Sequence, residues 1–266
     1  MRYLKIVGDV DMTLEDFSNN FDVLLTTLAP SLRLTINEYE KSVALTRAQN
    51  NLVKAYLAKV INPMGMGYNA SAITQMEFST LVTTKNIDIS SAGVYGGYTD
   101  TGYVVSFTDD DFKIGTRRAD PLCILNERVT TILPSGLGAS YVIVPIDHNE
   151  YNRILSRPYP EPLKRQAWRL FESDRTTLGR TVEIILRSDA GTPDKYVVRY
   201  IRNPRPIILT DLSDTSEELS IEGETAASEC ELSQIFHNDI LNEAIRLLLS
   251  PHTSGSEDNK EQRNDS

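Results

Sequence analysis

Residues 35–61, TINEYEKSVALTRAQNNLVKAYLAKVI, contain no Gly or Pro, and the first breaker after them is Pro63. Good helix formers dominate the stretch, so the backbone has little reason to do anything but coil. Thr35 and Glu38 stand at capping-box spacing at its start. Ile36, Tyr39, Val43, Val53, Leu57 and Val60 share one side at helical spacing, and Leu45, Ala48, Leu52 and Tyr56 widen the stripe. A helix over the whole stretch is about 40 Å long at about 1.5 Å per residue, enough to serve as the strut of a domain. Its middle is polar: Thr46, Arg47, Gln49, Asn50 and Asn51 interrupt the apolar rows. That face is either partly solvated or turned to another chain, which makes Arg47 and Asn50 interface candidates.

The flanking segments extend a helical framework. Residues 1–10 alternate weakly, as a short strand does. Thr13 is placed to cap an amphipathic helix carrying Leu14, Phe17, Phe21, Leu24, Leu25 and Leu28, which Pro30 ends. A link of a few residues pairs it with the strut as a helical hairpin. After the break at Pro63–Gly67, a third helix is expected over 72–83, with Ile73, Met76 and Leu81.

Residues 90–146 change character. Gly-rich turns separate β-favouring pieces at 103–107, 123–133 and 141–144, so a small, mostly antiparallel sheet is expected. Asp147 with Glu150 starts another helix. Pro158, Pro160 and Pro162 mark an extended spacer, and a brief helix around the only tryptophan, Trp168, is expected over 163–171. Residues 181–187 and 196–202 alternate apolar and polar on either side of a Gly- and Pro-containing loop, which reads as a hairpin. Residues 211–232 read as an acidic arm. Residues 233–250 form a last helix with Ile235, Phe236, Ile240, Leu241, Ala244, Ile245 and Leu248. Residues 251–266 form a disordered polar tail.

The chain thus divides into a helical part of the core (1–89), a small β-rich part (90–146), a helix plus projecting hairpin (147–210), the arm, the last helix and the tail. The fold class is α+β: a helical bundle around one long helix, with an inserted small antiparallel sheet and a projecting β-hairpin.

The net charge of -10 is unevenly spread. Residues 153–205 hold twelve Lys/Arg against six Asp/Glu, whereas 211–231 hold eight acids and no base. Such blocks meet either within one chain or across subunits. Tyr196, Arg199, Tyr200, Arg202 and Arg205 are therefore candidates for contact with a partner, as are Glu217, Glu218, Glu222 and Glu224. Strand alternation puts Tyr196, Tyr200 and Arg202 on one face and Arg199 on the other.

Enzyme chemistry finds no foothold. His148, His237 and His252 have no second His at metal-ligand spacing, and His148 fits a helix N-terminus better than a proton shuttle. Asp109, Asp110 and Asp111 lack the alternation of an EF-hand. The segment SAGVYGGYTDTGY ends without Gly-Lys-Ser/Thr and matches no dinucleotide fingerprint. Cys123 and Cys230 lie far apart and read as free thiols. No catalytic, metal or cofactor residue is expected, and the longest apolar run is too short to span a bilayer.

Three segments carry a resemblance. Ile36-Asn37-Glu38-Tyr39-Glu40-Lys41-Ser42, continued by Leu45-Thr46-Arg47-Ala48-Gln49, resembles a segment of virion structural proteins of crAss-like tailed phages of gut bacteria. Tyr200-Ile201-Arg202-Asn203-Pro204-Arg205-Pro206-Ile207-Ile208-Leu209 is similar to their Tyr-Ile-Arg-x-Pro segment. Cys230-Glu231-Leu232-Ser233, with His237, Ile240, Ala244 and Leu247, resembles a Leu-Pro-x-x-x-His-x-x-Ile helix of phage head–tail proteins, with Ser233 in place of the proline.

The resemblance implies a non-catalytic, ring-forming virion protein, made in the host bacterial cytoplasm. It would sit in the head–tail connector or tail barrel, stacked below the portal with neighbouring tail ring proteins. Its ring would match the portal's twelvefold symmetry and surround the DNA exit channel without sequence-specific binding. The alternative reading is a DNA-binding or packaging accessory protein that uses the basic 153–205 region.

Overall fold

Reciprocal side-chain caps start the first two helices. In the computed structural model, α1 (Leu14–Leu28) begins after Thr13, whose hydroxyl accepts from the Asp16 N–H at 3.2 Å while Thr13 N–H donates back to the Asp16 carboxylate at 3.0 Å. The strut helix α2 (Glu38–Ile61) is likewise boxed, but two residues later than the sequence suggests: Asn37 accepts from Glu40 N–H at 2.7 Å, and Glu40 accepts from Asn37 N–H at 3.1 Å. Glu38 is thereby left to accept from Ser18 at 2.9 Å and from the buried Lys41 ammonium at 2.9 Å. Burial works against the charge on Lys41. Hydrogen bonds and Coulomb attraction from Asp22 and Glu38 prevail and hold its pKa above the ordinary value.

The described residues are 12–28, 30, 36–61, 72–89, 102–107, 112–114, 117–118, 120–158, 160–173, 180–213 and 219–254. The strand expected at 1–10 and most of the expected tail lie outside them. The chain forms two compact units, Met1–Leu81 with Asn203–Ser266, and Val82–Arg202.

The first unit is helical. Short α3 (Ala72–Glu77) and a 3-10 turn, Ser79–Leu81, stand where a longer third helix is expected. At the other end of the chain, a 3-10 turn (Gln234–Phe236) leads into the terminal helix, which runs from His237 to Ser254. Phe17, Phe21 and Leu25 pack in one core with Leu45, Ala48 and Val53 of α2 and Ile240, Leu241 and Ile245 of the terminal helix. Tyr56, Phe78 and Phe236 form an aromatic triad with ring centroids 5.2 to 5.8 Å apart.

The second unit is a seven-stranded sheet. Its strands are β1 (Val82–Asp88), β2 (Tyr103–Phe107), β5 (Pro121–Ile132), β6 (Gly138–Pro145), β7 (Gln166–Ser173), β8 (Arg180–Ile185) and β9 (Thr192–Arg202). The two-residue β3 (Lys113–Ile114) and β4 (Arg117–Arg118) pair separately. The order is β1-β9-β5-β6-β7-β8-β2, antiparallel except for β6 with β7. The parallel pair is joined by α4 (His148–Leu155), capped by Asp147, which accepts from Glu150 N–H at 2.5 Å. The terminal helix is therefore α5. Ile87, Val105, Val129, Ile143, Ala167, Ile184 and Tyr196, drawn from all seven strands, fill one cluster, so the sheet curls around its own core as a half-barrel.

This architecture corrects the expected fold. The chain is not a helical bundle carrying a small sheet and a projecting hairpin; the sheet is a full unit, and the hairpin is absent. Residues 181–187 and 196–202 do contribute strands, but β8 pairs with β7 and β2, while β9 pairs with β1 and β5. Alternation reveals a strand but not its neighbour. The loop between them carries the chain across rather than back: Ala190 is buried, and Gly191 holds φ at 80° with Ile132 O only 2.4 Å from where a Cβ would sit.

Residues 163–171 also differ, since β7 occupies the place of the expected helix. Gln, Ala, Arg and Leu favour helices locally, but Ala167 faces the barrel interior and Leu170 packs under Tyr151 of α4. Burial on both faces overrides the local preference.

Candidate functional site

Part of the polar middle of α2 is turned inward, while Arg47 and Asn51 stay exposed. Ser42, Thr46 and Gln49 lie along one face at helical spacing, and all three are buried. Gln49 Nε2 donates to Arg205 O at 2.7 Å. Thr46 Oγ1 donates to Ile207 O at 3.3 Å and accepts from Ile207 N–H at 3.1 Å, and Ser42 Oγ accepts from Leu209 N–H at 3.0 Å. Residues 205, 207 and 209 are alternate positions of an extended segment, so three side chains stand in for a strand neighbour and satisfy its buried backbone. Ile208 forms a bridge to Ser228 on its other side.

The segment read as an acidic arm is, where described, folded onto this ladder. Leu212 N–H donates to Thr225 O at 2.8 Å, Ile221 and Glu224 close a tight turn, and Leu212 and Ile221 pack near Tyr39 and Val43 of α2. Asn50 Nδ2 donates to Glu222 Oε1 at 2.8 Å, and Arg205 Nε donates to Glu224 Oε2 at 2.8 Å. Arg205 N–H also donates to Glu231 Oε2 at 2.7 Å. The two charge blocks therefore meet in part within the chain.

The other candidates scatter. Arg47 is exposed on α2, and Glu217 and Glu218 lie outside the described residues. Tyr196 and Tyr200 point into the sheet core, Tyr200 with its ring 5.4 Å from that of Phe112, so neither offers an aromatic face to a partner. Arg202 is buried on the same side. Arg199 alone of this group is exposed on the outer face of β9, with Nε 3.3 Å from Thr84 Oγ1.

Three features escape the sequence. Inside the half-barrel, Arg169 Nη1 donates to Glu127 Oε1 at 3.0 Å, Tyr196 OH donates to the same oxygen, and the Arg169 guanidinium stacks 3.9 Å over the Phe171 ring. Burial pushes the Glu127 carboxyl above the ordinary glutamate value, against the pull of Tyr196 and Arg169. Burial and the adjacent Glu127 carboxylate also keep the Tyr196 phenol protonated. Periodicity cannot show this trio, because its members lie on three strands far apart in sequence.

The second feature is a groove of about 390 Å³ in the helical unit. Met12, Met76, Glu77, Thr80, the 229–233 segment and His237 line it. The third is a depression of about 210 Å³ on the outer sheet face, lined by Thr84, Asn126, Arg128, Val197 and Arg199. Among the described residues no cluster of His, Cys, Asp or Glu has the geometry of a metal site, and no helix is long and apolar enough to cross a membrane. His148 sits at the first turn of α4 with Nε2 3.1 Å from Phe171 O.

Known proteins resolve what this arrangement belongs to. Residues 12–260 match the family model described as phage tail ring protein 3/4. The chain belongs to the crAss-like phage tail ring protein family. Ring protein 4/5 of Bacteroides phage crAss001 is 38% identical over 236 residues, covering 89% of this chain and 92% of the relative. Ring protein 3 of the same phage is 30% identical over 243 residues, covering 91% and 97%. The chain is thus a structural ring component of a phage virion, as the quoted motifs imply. The matched region spans residues of both units.

Proposed function

We propose that the chain forms a closed homo-oligomeric ring, twelvefold to match a portal above it, in the tail barrel or head-to-tail connector around the DNA exit channel. Its neighbours along the axis are the portal or further ring proteins of the same family. The observation that carries this reading is the near full-length match to two differently numbered ring proteins of one phage, which points to a stack built from variants of one subunit. A head-to-tail contact closes into a ring when the rotation per subunit allows it. The net charge of -10 suits a conduit through which DNA slides without sticking, because bound phosphates need clustered Lys and Arg. At least three of the twelve basic residues of that block are held by carboxylates within the chain: Arg169 by Glu127, Arg187 by Asp189 and Arg205 by Glu224. That weakens the DNA-binding alternative, and the role is architectural rather than catalytic.

Negative-stain imaging of the purified chain mixed with its portal tests the placement. The expected image is a second ring stacked coaxially on the portal. A portal that stays bare at saturating chain concentration contradicts it.

A further inference from the structure

The groove of the helical unit is lined by Glu77, Glu229 and Glu231 with no Lys or Arg among its residues. Glu77 is 8% exposed, and its buried Oε2 has no hydrogen-bond partner. A buried carboxylate oxygen left unpaired is costly, and a guanidinium relieves it with a planar fork of donors. The rim carries Met76, which is 71% exposed, a large apolar side chain of the kind that interfaces cover. The depression on the outer sheet face is the complement. Arg199 stands beside Asn126 across the β9–β5 pair, and Arg128 beside Val197, so the two guanidiniums share one patch whose lining contains no carboxylate.

We infer that Glu77 and Glu229 in the groove of one copy receive Arg128 and Arg199 from the sheet face of the next copy. This inference rests on the ring reading and names its subunit contact. The two surfaces differ, so the contact is heterologous and repeats from copy to copy, which is what ring closure requires. Like-charge repulsion at the same surfaces rejects groove-to-groove and face-to-face pairing.

The test is charge reversal followed by mixing, read as native mass of the full-length chain. One variant is R128E/R199E and the other is E77Q/E229R. Arg128, Arg199 and Glu229 are exposed and Glu77→Gln keeps the shape of the buried side chain, and a wild-type melting curve for each variant checks folding. Each variant alone is expected to lose the ring, with subunit affinity reduced roughly 30-fold or more. An equimolar mixture is expected to restore it, because each reversed surface now meets its opposite. Rings from either folded variant alone, or a mixture that stays monomeric, overturn the contact. If R128E/R199E keeps its ring and instead loses salt-sensitive DNA binding, the face serves phosphates and the contact is overturned. A wild-type chain that forms no ring overturns the ring reading itself, an outcome distinct from wild-type rings that ignore both variants.

Discussion

The α2 ladder of the helical unit and the trio inside the sheet unit satisfy buried polar groups in opposite ways. In the helical unit, neutral side chains of α2 bond a neighbouring backbone, through Thr46 and Gln49 on residues 205–207. In the sheet unit, the backbone satisfies itself through strand pairing, and the buried polar side chains include an ion pair with a phenol, Glu127, Arg169 and Tyr196. Neutral hydrogen bonds are individually modest but add along the ladder. A buried ion pair contributes little net stability yet is severely destabilising when half of it is removed. The ladder should therefore degrade gradually under substitution and the trio abruptly.

The sharpest way to break that contrast is Glu127→Ala, which strands the Arg169 guanidinium. A loss of about 3–5 kcal/mol is expected, read from the fluorescence of Trp168, the only tryptophan and a residue of β7. Next comes Gly191→Val, which places a branched Cβ against Ile132 O at positive φ and should cost about 1–3 kcal/mol by the same probe. Thr46→Val removes both bonds to Ile207 and is expected to cost about 1–3 kcal/mol, read by circular dichroism of the helices. If Thr46→Val proves costlier than Glu127→Ala, the contrast is wrong.

Smaller effects sharpen it. Glu127 binds its proton more tightly folded than unfolded, so the folded state is penalised as pH rises from the ordinary glutamate value through the raised one. The fluorescence-detected stability of wild type should fall over that window relative to Glu127→Gln, and equal pH profiles would contradict the burial argument. Cys230, pushed up to about 12 by burial and the Glu231 charge, is thiolate in only about one part in ten thousand at pH 8. It should alkylate more slowly than Cys123 in the native chain, and the difference should vanish in denaturant.

The helical unit was largely legible in the sequence because its information is local. The stripe of Phe17, Phe21 and Leu25, the strut and the last helix all follow from spacing within one segment. Even there, Asn37 rather than Thr35 supplies the cap of α2, since two overlapping boxes fit the same letters. The polar run at Thr46 and Gln49 could not reveal its partner, which lies more than 150 residues away.

The sheet unit hid its organisation for the same reason. Tyr196 and Tyr200 were visible as alternating strand residues, but only the register with β1 and β5 shows that they face inward. Of the expected interface residues, Asn50 with Glu222 and Arg205 with Glu224 are brought together within the chain. Arg128 and Glu77 had no sequence signal, and Glu229 only its place in the acidic block, because exposure and a missing partner are properties of the fold.

Native mass spectrometry of the full-length chain, over a range of protein concentrations with and without the portal, tests the central claim most directly. A ring subunit gives one closed species of fixed copy number, twelve on this account, whose mass does not grow as concentration rises. A monomer in both conditions, or an open ladder that lengthens with concentration, would contradict it.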